Sequence, residues 1–275
     1  MNLLVTCNEN YLIPLQTMLN SIFNSNPSTK MDIYFMHQSV DPCKIEKLRD
    51  FIVKSGSRLV DLDCKGLFED TLFTNRYYSI EMYYRLLAPF ILPESLDRIL
   101  YLDPDIINLN SIQTFYEQDF EGNAFVATAH DYITKWVQPF NRIRLQTLKS
   151  IDYFNTGVLL MNLTAIREKQ SEKALLEHIA DSKRLILPDQ DVFNQVYWDS
   201  ILEDDWHFYN LDPRFYSILN TLNSDKYNQK WVEEEVVFIH YCGKHKPWIE
   251  KEDYRYELAE YYHMYSTEKE VEGTI

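Results

Sequence analysis

Glycine is scarce, with 6 in 275 residues. The phosphate-binding turns that depend on it, G-x-G-x-x-G and G-x-x-x-x-G-K-[ST], do not occur, and neither does the G-x-S-x-G elbow. Dinucleotide dehydrogenases, P-loop kinases and α/β-hydrolases lose support accordingly. The 4 cysteines, Cys7, Cys43, Cys64 and Cys242, include no C-x-x-C pair, which argues against a structural zinc site. With no secretory leader ahead of them they read as reduced thiols, and the expected location is the cytoplasm. No apolar run approaches the roughly 18 residues of a membrane-spanning helix. Basic charge is short as well: 27 Lys and Arg face 42 Asp and Glu, for a net charge of −15. No Lys/Arg cluster tracks a phosphate backbone or an anionic membrane, so nucleic acid is not an expected partner. An anionic ligand such as a diphosphate would need a local cation, and a divalent metal is the direct candidate. What the chain does hold in quantity is aromatic side chains: 20 Tyr, 15 Phe and 5 Trp. These suit a core first, and stacked sugars or bases second.

The first 130 residues alternate strand-like and helix-like stretches. Strands are expected at 3–6, 32–37, 58–63, 98–102 and 124–129. Helices are expected at 11–23, 44–53 and 79–90, each with apolar residues at helical spacing. This β-α-β-α order predicts an α/β fold with a mostly parallel central sheet flanked by helices. Such sheets bind ligands at the carboxyl ends of their strands. Further on, 153–162 reads as a buried strand, 164–181 as one helix capped by Thr164, and 189–197 as another helix. Residues 203–232 read as irregular, 236–241 as a strand and 251–265 as a closing helix. No repeat or linker divides the chain. The expectation is one domain over 1–275, regular over 1–130 and looser towards its C-terminal end.

Three D-x-D pairs occur among the 21 aspartates, little more than chance supplies, so position must discriminate. Asp103 and Asp105 directly follow the apolar run RILYL, at the carboxyl end of a buried strand. In extended backbone they would point the same way and reach one hard cation, with Pro104 stiffening the turn. The alternative is a polar turn that only caps the strand. Two carboxylates leave room on Mg2+ or Mn2+ for phosphate oxygens, and a nitrogen ligand favours Mn2+. His240, ending VVFIH, serves equally well as that ligand or as a core histidine. Lys246 and Arg85 are the cations available to a diphosphate, or else surface residues.

Five segments in order, VTCNENY, YYRLLAPFIL, RILYLDPDII, YFNTGVLLMNL with PDQDVFN, and HYCGKHKPW, resemble family 8 glycosyltransferases, the group of bacterial lipo-oligosaccharide galactosyltransferases and glycogenin. The resemblance runs from residue 1 to about 250, and it implies a nucleotide-binding half at 1–130 and a donor-sugar and acceptor half, with the C-terminal helix, at 131–275. It implies a GT-A type nucleotide-sugar-binding fold and retaining transfer of a hexose from UDP-galactose or UDP-glucose to a carbohydrate acceptor on a glycan, lipid or protein. It implies metal ligation by Asp103, Asp105 and His240, a uridine pocket of Thr6, Cys7, Asn8 and Tyr11, and diphosphate contacts from Arg85, Gly243 and Lys246. It implies donor-sugar contacts from Asn155, Asp189 and Gln190, and an acceptor-side position at Asp131. Asn8 stands where relatives often carry Asp, and its amide oxygen accepts the same hydrogen bond.

Charge sets the expected mechanism. Negative charge grows on UDP as the sugar leaves, met by the metal, Lys246 and Arg85. Gln190, matching the far side of the sugar, is a poor nucleophile, so same-face attack by the acceptor is favoured over a covalent intermediate. Other readings of the same residues are a metal-dependent nucleotide-sugar hydrolase, a non-catalytic UDP-sugar-binding protein, or self-glycosylation on a tyrosine.

Overall fold

A computed structural model of the chain describes residues 1–67, 81–129, 140–142, 144, 145, 147, 150, 152–181 and 187–266. The start of the expected helix 79–90, Asp131 and the end of the chain at 267–275 lie outside the described residues.

The principal sheet has seven strands: β1 (Asn2–Thr6), β2 (Asp32–His37), β3 (Arg58–Asp63), β4 (Arg98–Leu102), β6 (Phe125–Thr128), β7 (Val158–Asn162) and β8 (Ile201–Asp204). A short β5 (Ile106–Asn108) instead pairs with β9 (Phe238–His240) in a second, two-stranded sheet. The large sheet runs β3-β2-β1-β4-β7-β6-β8. It is parallel from β3 to β4, antiparallel at β4·β7 and β7·β6, and parallel again at β6·β8. The expected mostly parallel sheet is therefore present. Chain order runs outward from β1 to β2 and β3, then returns to β4 on β1's other side. The β1/β4 junction is a topological switch point, where a crevice opens beyond the strand ends.

Adjacent residues of β1 feed opposite faces. Leu3 and Val5 join one apolar cluster with Leu15 and Leu19 of α1 (Leu12–Ser25) and with Ile45 and Leu48 of α2 (Pro42–Lys54). Leu4 joins another with Leu86 and Leu87 of α3 (Glu81–Ile91). Central parallel strands covered on both faces read as continuous apolar runs, which is why LLV and ILYL were recognisable. A third cluster surrounds β9, with Ile239 and Tyr241 packed among Trp206, Phe215, Val232 and Tyr262.

The C-terminal half corrects several expectations. Residues 153–157 are not strand. The strand begins at Val158, and only an isolated bridge joins Phe154 to Ala129. The expected helix 164–181 is two helices, Leu163–Lys169 and Glu172–Asp181, and the first is capped by Asn162, whose side chain accepts from Ala165 N, rather than by Thr164. The stretch read as irregular, 203–232, holds the end of strand β8, the helices Trp206–Tyr209 and Pro213–Leu222, and the start of the helix Gln229–Glu235. The closing helix expected at 251–265 is a 3-10 turn at Lys251–Asp253 followed by a helix at Ala259–Tyr265, and a separate short helix, Pro247–Glu250, precedes them. No helix of the described residues is long and apolar enough to cross a membrane.

Candidate active site

Two adjoining cavities open at the carboxyl ends of β1 and β4. The smaller, 240 Å3, is bounded by Thr6, Cys7, Asn8 and Tyr11 on one side and by Asp103 and Asp105 on the other. The larger, 640 Å3, is bounded by the same two aspartates together with His240, Asn155, Asp189 and Gln190, and reaches Gly243. Asp103 and Asp105 thus form part of the wall that both cavities share. They sit on a turn rather than in extended backbone. The turn is fixed by Asp103 N donating to Gly157 O at 2.8 Å and by Tyr241 N donating to Asp105 O at 3.0 Å.

His240 arrives by strand pairing. The β5·β9 register sets Ile106 opposite His240, directly after the aspartate turn. His240 Nε2 lies 3.2 Å from Asp105 Oδ1 and 3.8 Å from Asp103 Oδ2. Among the described residues, these three side chains bring ligand atoms within 4.8 Å of one another. His240 Nδ1 meets Asn210 Oδ1 at 2.8 Å, which fixes the tautomer and turns Nε2 towards the carboxylates. A Cβ on Gly157 would lie 2.2 Å from His240 Cε1 and 2.9 Å from Asp103 Oδ2, so the two side chains close in over a bare backbone. Two carboxylates and one oriented imidazole form a donor set that fits Mn2+ or Mg2+.

Cations already surround this acidic centre. The Lys246 ammonium contacts Asp105 Oδ2 and donates to Tyr241 O at 2.6 Å. Burial alone would raise the Asp105 carboxyl, yet Lys246 and His240 hold it below the usual carboxylate range. Burial disfavours protonation of His240, but Cys242 and Asp105 pull its imidazole well above the ordinary value. Lys246 is packed by Trp248, whose ring centroid is 5.5 Å from Nζ, and Trp248 in turn meets Tyr11 edge-on at 6.0 Å.

Arg85 of α3 is buried and spends its donors on the protein. Nη1 donates to Thr156 O at 2.9 Å, Nη2 pairs with Asp103 Oδ1 at 3.0 Å, and Nε donates to Met82 O at 3.1 Å while lying 3.4 Å from Asp189 Oδ2. Its face lies over the Tyr101 ring, and the Tyr101 hydroxyl also donates to Asp103 Oδ1. Asp103 Oδ1 is therefore engaged, and Oδ2 is the oxygen turned towards His240. Asp189, at the first turn of the helix Pro188–Val196, is raised by burial despite Arg85.

The other expected residues gather around this centre. Asn8 caps the 3-10 turn Glu9–Tyr11, its Oδ1 accepting from Asn10 N at 3.1 Å, and keeps a second lone pair for a ligand. Cys7 is buried, and burial followed by the charge of Glu81 pushes its thiol up, so it packs rather than reacts. Gly243 adopts φ +83, in the left-handed region, where a loop can pass close to a ligand. In the other two D-x-D pairs, Asp61/Asp63 and Asp189/Asp191, protein groups engage the carboxylates: Asp61 pairs with His37 at 2.7 Å, and Asp191 accepts from the two Arg144 Nη nitrogens at 2.5 and 2.7 Å. Sequence reasoning missed Asn210, Tyr101 and Arg144. Of these, only Tyr101 carried a signal, by standing in the strand that leads into the aspartate turn.

A profile described as Glycosyl transferase family 8 matches residues 2–252. A lipopolysaccharide 1,2-glucosyltransferase of Escherichia coli is 27% identical over 257 residues, covering 90% of this chain and 72% of its own length. A lipopolysaccharide 1,3-galactosyltransferase of Salmonella typhimurium is 25% identical over 256 residues, with 90% and 72% covered. Among solved structures, the galactosyltransferase LgtC in complex with donor and acceptor sugar analogues has a TM-score of 0.74 at 21% identity, over 97% of this chain and 95% of its own. That likeness makes the fold GT-A type, and with the profile spanning nearly all of the chain, this protein belongs to glycosyl transferase family 8, the sugar-transferring enzymes.

Proposed function

We propose that the chain transfers a hexose, with retention, from UDP-galactose or UDP-glucose to a carbohydrate acceptor, using Mn2+ or Mg2+ held by Asp103, Asp105 and His240. The observation that carries this reading is the position of the aspartate pair in the wall common to both cavities. Uridine fits the smaller cavity, with Tyr11 against the base and Asn8, Thr6 and Cys7 around it. The hexose fits the larger cavity beside Asn155, Asp189 and Gln190, with space beyond for the acceptor. The relatives named a glucosyltransferase and a galactosyltransferase make both donors worth testing. A UDP-sugar donor fits work in the cytoplasm, by a single unit spanning 1–275.

A bound divalent cation would neutralise charge on the leaving diphosphate. Lys246 would add a point charge there, exchanging Asp105 for a phosphate oxygen, and the left-handed Gly243 would let the loop approach. Gln190 is an amide and a poor nucleophile, and Asp189 is already engaged by Arg85. Same-face transfer follows: the acceptor oxygen bonds to C1 as the C1–phosphate bond breaks, and the departing phosphate oxygen takes the hydroxyl proton.

The test is UDP release from UDP-galactose and UDP-glucose, with and without Mn2+, for the wild type and Asp105→Asn. Metal-dependent release that vanishes in the variant is expected. Free hexose as the only product would make the chain a hydrolase. Tight UDP binding with no turnover of either donor would make it a binding protein. A glycosyl adduct trapped on a carboxylate would rule out same-face attack.

A further inference from the structure

Asn210 has no exposed surface, and its side chain spans the two halves of the site. Its Oδ1 lies 2.8 Å from His240 Nδ1. Its Nδ2 donates to Asn155 Oδ1 at 3.1 Å and to Thr128 Oγ1 at 2.9 Å. Asn155 in turn accepts from Gly157 N at 2.8 Å and donates through Nδ2 to Gln190 Oε1 at 3.5 Å. A head-to-tail series of amides therefore runs from the imidazole to Gln190.

The direction of every bond in the series follows from its first member. A histidine that offers Nε2 to a cation carries its proton on Nδ1. That proton needs an acceptor, so Asn210 must turn its oxygen to His240 and its NH2 to Asn155. Asn155 must then turn its oxygen to Asn210 and its own NH2 to the Gln190 oxygen. Gln190, accepting from Asn155 through Oε1, has its NH2 as the donor end of the series.

We propose that Asn210 is a positioning residue that sets the metal-side histidine and the sugar-side amides through a single carboxamide. This rests on the reading of the site as a metal-assisted hexosyl transferase. The backbone supports the role, because it holds Asn210 independently of its side chain. Leu211 N donates to Phe238 O, and His240 N donates to Leu211 O, both at 2.9 Å. The neighbouring chain is thus fastened to β9, and a changed side chain at 210 leaves that attachment in place.

The two ends of the carboxamide can be separated chemically. Asn210→Asp keeps an acceptor for His240, and a carboxylate makes the imidazole a better ligand. It has no donor for Asn155. Asn210→Ala removes both contacts. Asn155→Ala removes the sugar-side contact and keeps the bond between Asn210 and His240.

The experiment measures Mn2+ affinity without nucleotide, by calorimetry or electron paramagnetic resonance, and the ratio of UDP-hexose to UDP affinity together with kcat. Asn210→Ala should lose about 10- to 100-fold in Mn2+ affinity, the range for lost partners of metal ligands. Asn210→Asp should keep or gain Mn2+ affinity. Both it and Asn155→Ala should lose the preference for UDP-hexose over UDP, and about tenfold or more in kcat. The thermal midpoint of each variant checks that it folds. If Asn210→Asp does not fold, the contrast between Asn210→Ala and Asn155→Ala still decides.

Loss of Mn2+ affinity in Asn210→Asp equal to that in Asn210→Ala would overturn the proposal. Unchanged sugar preference and kcat in both Asn210→Asp and Asn155→Ala would do the same. A wild type that binds neither Mn2+ nor UDP would instead bring down the transferase reading, and this proposal with it.

Discussion

Gly157 and His240 are in such close contact that a methyl group on the glycine would stand 2.2 Å from the imidazole Cε1. The same methyl would stand 2.9 Å from Asp103 Oδ2, so one position guards two of the side chains proposed to hold the metal. Gly157→Ala should push His240 and Asp103 apart. We expect Mn2+ affinity to fall by about tenfold or more, by analogy with lost support around metal ligands, and stability to drop by about 1–3 kcal/mol through overpacking. Calorimetry with Mn2+ and a urea melt measure the two effects.

Lys246 occupies one oxygen of Asp105, which a cation would also seek. Lys246→Met should therefore bind Mn2+ more tightly than the wild type when no nucleotide is present. With Mn2+ present it should bind UDP about 10- to 100-fold more weakly, since a buried charge-assisted hydrogen bond contributes about 1.5–3 kcal/mol. Opposite shifts in two titrations are the signature. Parallel losses in both would mean that Lys246 merely supports the loop.

Asp191 is fully buried, and its oxygens accept from Arg144 at 2.5 and 2.7 Å, Tyr153 Oη at 2.7 Å and Leu187 N at 3.1 Å. Burial pushes this carboxyl up, and the donors more than reverse it, leaving it below the usual range. The folded state therefore gains stability from Asp191 above the ordinary carboxylate range, and loses it as pH falls through the lowered value. In Arg144→Met the carboxylate keeps Tyr153 and Leu187 N but loses its opposite charge, and burial should favour its protonated form in the folded state. Its contribution would then diminish as pH rises above the ordinary range. We expect a loss of about 3 kcal/mol near neutral pH, shrinking at pH 5, as read from urea midpoints at the two values.

Among the described residues the buried Tyr197 hydroxyl has no hydrogen-bond partner, and its ring packs against Phe125 at 4.8 Å and Phe193 at 5.9 Å. An unsatisfied buried hydroxyl carries a desolvation penalty that Phe does not. Tyr197→Phe should raise stability by about 1 kcal/mol, seen as a higher thermal midpoint with no change in Mn2+ or UDP affinity.

Local sequence revealed what local forces decide. LLV and ILYL read as strands because burial on both faces demands unbroken apolar runs, and Asp103 was marked by following one of them. The switch point at β1/β4 then brought Thr6 and Asp103 together, as the α/β alternation implied. Boundaries failed where tertiary contacts overrule propensity. Asn162 outcompetes Thr164 as a cap because the helix starts directly off β7. The stretch 203–232 takes form through distant bonds such as Leu211 N to Phe238 O. Asn210 was invisible for the same reason: its partners Thr128, Asn155 and His240 lie 82, 55 and 30 residues away. Arg85 was recognised, yet its engagement with Asp103, Asp189 and Thr156 could not be read from a helix pattern.

The pairing of Ile106 with His240 also bears on how the protein is made. The two aspartates leave the ribosome well before the histidine, and the short β5 has no partner until β9 has been synthesised. A nascent chain that has reached residue 200 can present the acidic turn but not His240. On the proposed metal reading, tight Mn2+ capture during translation would mark the moment at which the last quarter of the polypeptide docks, and the ion would report on assembly.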